Sequence, residues 1–214
     1  MVITLFLILK TGTQNWTPYQ IIQRFEKGEA LFLADKVRIR IPNAEQRLRG
    51  GLDYFVKRYT FGKESHAKWM EKNYRPIVDW MSDNEGRGLL ITGGCGLGKT
   101  LIAKHILPLL LQDSCRKLVN IFTAQELNTK IDEILKLHII CIDDVGTEEL
   151  AKIFGNVRCA FSELCDAAEQ KGKLLIITTN LTANELEAKY GERTIDRLKA
   201  ITKFVPFTGK SLRK

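Results

Sequence analysis

Residues 89–100 read LLITGGCGLGKT, an apolar run that gives way to clustered glycines and then to a lysine and a threonine. The run LLIT suits a buried strand and LIAKHILPLLL (101–111) suits a helix. Between them Gly93, Gly98, Lys99 and Thr100 fit the pattern G-x-x-x-x-G-K-[ST] in the strand–loop–helix context that it requires. At average residue frequencies the four fixed positions match in roughly one chain in a hundred of this length. Glycines permit turns in which successive backbone NH groups point inward at phosphate oxygens, where a β-carbon would obstruct the approach. The helix N-terminus adds partial positive charge, Lys99 neutralises β- and γ-phosphates, and the Thr100 hydroxyl offers a magnesium ligand. The loop is therefore expected to bind ATP and Mg2+ through Gly93, Gly94, Cys95, Gly96, Leu97, Gly98, Lys99, Thr100 and Leu101, with Thr100 on the metal.

A phosphate loop needs partners that place metal and water. HIICIDDVGTE (138–148) supplies them: Ile139, Ile140, Cys141 and Ile142 make a buried strand whose carboxyl end delivers Asp143 and Asp144. In a parallel sheet, ligands sit at that end of the strands. Asp143 is expected to hold magnesium through water, and Asp144 to polarise the attacking water. The pair lies one strand–helix unit beyond KLVNIF (117–122), a spacing that suits a sheet with an extra strand between the two nucleotide motifs. LLIITTN (174–180) ends in the same way at Thr178, Thr179 and Asn180. The Asn180 amide is placed to orient water against the γ-phosphate, with a polar strand cap as the competing reading.

From residue 88 onward, apolar strand-like runs alternate with helical patterns, which predicts a parallel sheet covered by helices on both faces. The expected fold is an α/β P-loop NTPase with a parallel five-stranded sheet and a small, mostly helical N-terminal extension. FGNVRCAFSELCDAAEQKG (154–172) reads as one long helix burying Phe154, Val157, Phe161, Leu164 and Ala168. Upstream, Thr17 with Pro18 and Gln20 makes a helix start with Gly28 as its stop, and Asn43 with Gln46 makes a second. Gly50 and Gly51 are expected to break or kink that second helix. MVITLFLILK (1–10) suits a buried strand, and MSDNEGRG (81–88) reads as a linker. The expected division is 1–84, a basic and aromatic partner-binding extension, and 85–214, the ATPase core.

The chain has 214 residues, 44% of them hydrophobic, and a formal net charge of +8, so one good core and attraction to polyanions are both expected. Residues 36–75 concentrate the basic side chains among Tyr54, Phe55, Tyr59, Phe61, Trp69 and Tyr74. Such a surface suits a single-stranded nucleic acid or an acidic partner, the alternative being a solvated basic face over a small aromatic core. Five cysteines without a C-x-x-C pair argue against a zinc ribbon and a disulfide framework. They suit a reducing, cytoplasmic setting and mostly buried roles. No stretch reads as a membrane span. A kinase would need a second pocket that excludes water, so hydrolysis is the expected reaction.

The ordered series GGCGLGKT, IICIDDVGTE, ITTN, YGERTIDRL and GKSLRK resembles the ATPase core of the DnaC/IstB-type AAA+ proteins over roughly residues 85–214. The resemblance implies an AAA+ core in a helicase loader of DNA replication. Its partners would be a replicative helicase, single-stranded DNA and further copies of itself, assembled in the ATP state with nucleotide at subunit boundaries. It implies an arginine finger at Arg193, a supporting or core-facing role for Arg197, and a second sensor arginine at Arg213, where a frayed basic tail is the alternative. Three departures accompany it: Asp144 stands where glutamate is common in AAA+ proteins, no cysteine precedes Cys95 to build a zinc-binding N-terminal domain, and no full helical lid follows Arg213. Two other readings use the same core, an IstB-like transposase helper on duplex DNA and a nucleotide-gated adaptor with negligible turnover.

Overall fold

The computed structural model describes residues 17, 19–20, 22–23, 36–148, 151–153 and 156–212. The chain divides into two compact units, Met1–Leu33 and Ala34–Lys214. In the first, the expected helix start is present: the Thr17 amide donates to Gln20 Oε1 at 2.9 Å and the Gln20 amide to Thr17 Oγ1 at 3.3 Å. The strand expected over 1–10 and the stop at Gly28 lie outside the described residues.

The second unit is built on a five-stranded sheet. Strand β1 (Gly88–Thr92) lies between β6 (Leu174–Thr179) and β7 (Thr202–Pro206), and β3 (Ile139–Val145) lies between β2 (Asn120–Thr123) and β6. Every pairing in it is parallel. Strand β6 thus separates the phosphate-loop strand from the acid-bearing strand, the extra-strand arrangement that the spacing of the two motifs predicts for a parallel five-stranded P-loop sheet.

Side chains alternate across each strand, so consecutive apolar residues feed two different cores. Leu89, Ile91, Ile139, Cys141, Leu174 and Ile176 join one cluster. That cluster packs against helices α1 (Ala44–Tyr59) and α2 (Glu71–Ser82), a π-helical stretch Leu101–Ile106, and α3 (Leu107–Cys115) that continues it. Leu90, Ile140, Ile142, Leu175 and Ile177 join the opposite cluster, with α4 (Ala124–Ile134), α5 (Ala160–Lys171), α6 (Ala183–Tyr190) and α7 (Glu192–Ile201).

Four local expectations are corrected. Helix α1 runs unbroken through Gly50 and Gly51, because Gly51 marks a close helix crossing: a β-carbon there would lie 2.8 Å from Ile106 Cγ2. Its start at Asn43 is as expected, but Asn43 takes a left-handed φ of 51° and makes no side-chain cap bond, so no capping box forms. The long helix over 154–172 is shorter, beginning at Ala160 after an antiparallel hairpin of β4 (Ala151–Ile153) and β5 (Asn156–Arg158). Phe161, Leu164 and Ala168 are buried on it as expected, whereas Val157 belongs to β5 and Phe154 lies outside the described residues. Burial of the cysteines is confined to Cys141 and Cys165; Cys95 is exposed, and all five are free thiols.

Residues 36–84 share the first cluster with the sheet, through Ile39, Leu48, Ile77 and Trp80. Asn84, buried in the middle of the stretch read as a linker, ties these parts together. Its Oδ1 accepts the Ile39 amide at 2.7 Å and the Gly86 amide at 3.2 Å, while Nδ2 donates to the carbonyls of Val37 and Arg87, both at 3.0 Å. Removing this amide leaves backbone groups unsatisfied in the interior. Asn84→Ala should cost about 2–3 kcal/mol and lower Tm by roughly 5–10 °C in calorimetry.

Candidate nucleotide site

The site forms where β1, β3 and β6 end. Asp143 lies two residues beyond Cys141 and so faces the same side of the sheet, toward the helix that follows the phosphate loop. Cys141 Sγ contacts the Ala103 carbonyl of that helix, and burial pushes its thiol up to about 12. One step on, the Thr100 hydroxyl donates to Asp143 Oδ1 at 3.0 Å, and the Lys104 ammonium lies 3.8 Å from Oδ2.

Asp144 would face the opposite way in a regular strand. Instead the β3–β6 register shifts between Ile142 and Val145, so that Asp143 and Asp144 together oppose Thr178. Asp144 takes φ 64°, a left-handed conformation that aspartate tolerates better than most residues. This bulge brings both acids to one rim. Thr178, fully buried, holds it: its hydroxyl donates to Asp143 Oδ1 at 2.7 Å and accepts the Asp144 amide at 2.9 Å.

Asn180 closes the ring. Its Oδ1 accepts the Lys99 ammonium at 2.7 Å, which leaves Nδ2 to donate to Asp144 Oδ1 at 2.8 Å. Lys99, only 5% exposed, also donates to the carbonyls of Gly93 and Gly94 at 2.7 and 2.8 Å. Gly93, Gly96 and Gly98 all have positive φ, at 134°, 78° and 86°. Lys99, Thr100, Asp143, Asp144 and Asn180 are therefore joined in one network. Leu97 is buried beneath the loop, whereas Gly94 and Cys95 are exposed on it.

Beyond β7 the chain returns over the loop. The Phe207 amide donates to the Thr92 carbonyl at 2.7 Å, and the Phe207 carbonyl passes so close that a β-carbon on Gly93 would lie 2.3 Å from it. The Leu212 amide donates to the Gly96 carbonyl at 2.8 Å. Buried Asn73 of α2 secures this return by exchanging two 3.0 Å bonds with the backbone of Thr208. Arg213 follows directly on Leu212 but lies outside the described residues.

Arg193 stands apart from the network: it is exposed near the start of α7 and makes no hydrogen bond or ion pair among the described residues. Arg197 is committed elsewhere, pairing with Asp166 and with Glu169, the latter at 2.9 Å, to tie α7 to α5. Sequence reasoning missed Lys104 and a set of contacts behind Asp144. There Glu148, Lys189 and Tyr190 meet across about forty residues of chain, a separation that no local pattern spans. The two T-x-x-E capping boxes at Thr123–Glu126 and Thr182–Glu185, which start α4 and α6, did carry a local signal.

The donor set fits a magnesium nucleotide: a left-handed glycine loop, an ammonium, a threonine hydroxyl and a carboxylate already converge at one sheet edge. Residues 70–205 match the family model described as novel STAND NTPase 3. No curated protein matches. Among solved structures, the DnaC helicase loader is 19% identical, with a TM-score of 0.49 over 58% of this chain and 80% of that one. DnaI is 21% identical at 0.48, over 59% and 73%. A putative primosome component from Streptococcus pyogenes serotype M3 is 14% identical at 0.48, over 82% and 88%.

Thr178→Val keeps the side chain's shape while removing the hydroxyl that both acids depend on. Stability should fall by only about 1–2 kcal/mol, whereas nucleoside-triphosphate turnover should fall roughly 10–100-fold, read by phosphate release beside thermal melts.

Proposed function

Since the chain belongs to the novel STAND NTPase 3 family, we propose that it binds ATP with magnesium on Gly93–Thr100 and hydrolyses it, serving as a helicase loader in DNA replication. The observation that carries the ATPase reading is the continuous network from Lys99 through Asn180 to Asp144 and from Thr178 through Asp143 to Thr100.

Magnesium, held by Thr100 directly and by Asp143 through water, would supply charge neutralisation across the β- and γ-phosphates. Lys99 adds an ammonium on the same oxygens. Asp144 accepts a proton from water as the water oxygen bonds to the γ-phosphorus; the bond to the β-γ bridging oxygen breaks and its electron pair leaves on ADP. Asn180 fixes the direction of the Asp144 carboxylate, because its own carbonyl is already engaged by Lys99. Arg193, exposed and without a partner among the described residues, is suited to meet the γ-phosphate on a neighbouring copy, so that ATP favours the oligomer and hydrolysis releases it.

The partner surface is proposed on the N-terminal side. Its arginines are largely neutralised within the chain: Arg38 and Arg40 bind Asp83, Arg47 binds Asp113, and Arg49 and Arg75 bind Glu45. The hydrogen bond from Arg38, with lesser help from Arg40, holds the Asp83 carboxyl well below the usual carboxylate range. Lys57, Arg58 and Lys63 have no such partner among the described residues, and they lie beside Tyr54, Tyr59 and Phe61, which are 59%, 66% and 94% exposed. Unpaired cations among open aromatic faces suit single-stranded DNA, and the motif series that resembles DnaC/IstB proteins supports a replicative helicase as the protein partner.

Lys99→Ala should abolish the heat of ATP binding in calorimetry. Arg193→Ala should bind ATP within about 2-fold of the native protein yet lose about 10³-fold or more in turnover; normal turnover would refute the subunit-boundary finger. Affinity for single-stranded DNA should fall with salt at about 0.7 log units per phosphate contacted and weaken in Phe61→Ala. A preference for duplex DNA, or filaments on it, would favour a transposase helper instead.

A further inference from the structure

Just beyond Asp144 the chain makes a tight loop, Gly146–Glu148, to which the end of α6 donates three hydrogen bonds. The Gly146 amide donates to Glu148 Oε2 at 2.8 Å, and the Tyr190 hydroxyl donates to Glu148 Oε1. The Lys189 ammonium donates to the carbonyls of Gly146 and Glu148, both at 2.7 Å. Glu148 is 6% exposed and Tyr190 8%. A carboxylate this buried is costly unless paired and hydrogen-bonded, and none of the hydrolytic steps uses it. Burial, with the bond to Glu148 behind it, also pushes the Tyr190 phenol far up, so it stays a donor at any working pH.

The loop is fixed at its other end to Asp144 itself. The Thr147 hydroxyl donates to the Asp144 carbonyl at 2.8 Å and accepts from Gln125 at 3.0 Å. Gly146 takes φ 105°, and a β-carbon there would lie 2.4 Å from Leu181, the residue following Asn180.

Tyr190 is the last residue of α6; Gly191, at φ 83°, makes the corner, and Arg193 is the second residue of α7. Beyond it, the Thr194 hydroxyl donates to Ser162 at 2.9 Å and Arg197 holds α5. The Arg193 helix is thus anchored on one side to α5 and on the other, through Tyr190 and Lys189, to the loop that follows Asp144.

On the reading that Arg193 is the finger, we propose that Glu148, Lys189 and Tyr190 are positioning residues that set where α7 presents Arg193 relative to the Asp144 rim. In this role they act through α7 rather than on the reacting groups. Their removal shifts a helix corner whose own residues stay intact, so the effect belongs to turnover and not to ATP binding.

The test is a cycle on the full chain, with kcat and KM for ATP measured for Tyr190→Phe, Glu148→Gln, Arg193→Ala and the Tyr190→Phe/Arg193→Ala double variant. Tyr190→Phe should lower kcat about 10-fold with KM within about 2-fold. Glu148→Gln, whose amide can still take the Gly146 NH and donate to the Tyr190 oxygen, should retain at least half of native kcat. In the Arg193→Ala background, Tyr190→Phe should have little further effect, because the group it positions is gone. If Arg193→Ala is slow and Tyr190→Phe still lowers kcat by its full factor, this inference is overturned while the finger stands. If Arg193→Ala alone turns over normally, the finger is overturned and this inference with it. A rise in KM at unchanged kcat for Tyr190→Phe would also overturn it.

Discussion

One hydroxyl group, that of Thr178, sets the chemistry of the sheet edge. Two consecutive aspartates on a pleated strand face opposite ways, and a site that needs both must break the pleat. The extra residue in β3 does so, and Thr178 stabilises the result by donating a hydrogen bond to Asp143 while accepting one from the Asp144 amide. The hydroxyl is fully buried, so its bonds are not diluted by water. Through this single group, the strand register, the left-handed turn at Asp144 and the contact from Asp143 to Thr100 become one arrangement.

Charge is handled in two contrasting ways. Around the phosphate loop, neutral groups mediate between charges: the Asn180 amide bridges Lys99 to Asp144, and the Thr100 hydroxyl stands before Asp143, with Lys104 3.8 Å away on its other oxygen. Such spacing keeps the acids and the ammonium apart as separate polar contacts. On the N-terminal helices, by contrast, most guanidinium groups are bound directly by carboxylates, while Lys57, Arg58 and Lys63, at and just beyond the end of α1, have no such partner among the described residues.

Much of this was legible in the sequence because it is local or periodic. The loop pattern gave Lys99 and Thr100, the apolar runs ending in DD and TTN gave Asp143, Asp144 and Asn180, and strand spacing anticipated the intervening β6. What was not legible depends on distant partners. Gly51 looked like a helix breaker because its reason for being glycine, Ile106, lies far along the chain. The hairpin before α5 was hidden by apolar residues that also fit a helical period. The buried carboxylate behind Asp144 gave no sign, since Glu148 and Tyr190 belong to segments separated by four elements.

The π-helical stretch after the phosphate loop has its own consequence. The Leu107 amide reaches back five residues to the Ile102 carbonyl, and the next residue, Pro108, has no amide to donate. A widened turn takes in an extra residue for the same advance, so the two halves of the helix obey different rotational phases. The upstream half is keyed to nucleotide chemistry, holding Lys104 near Asp143; the downstream half is keyed to the interior, burying Leu107 and Leu111. A slip of one position on either side can thus be absorbed at the junction, so that drift in packing need not disturb the alignment of the loop.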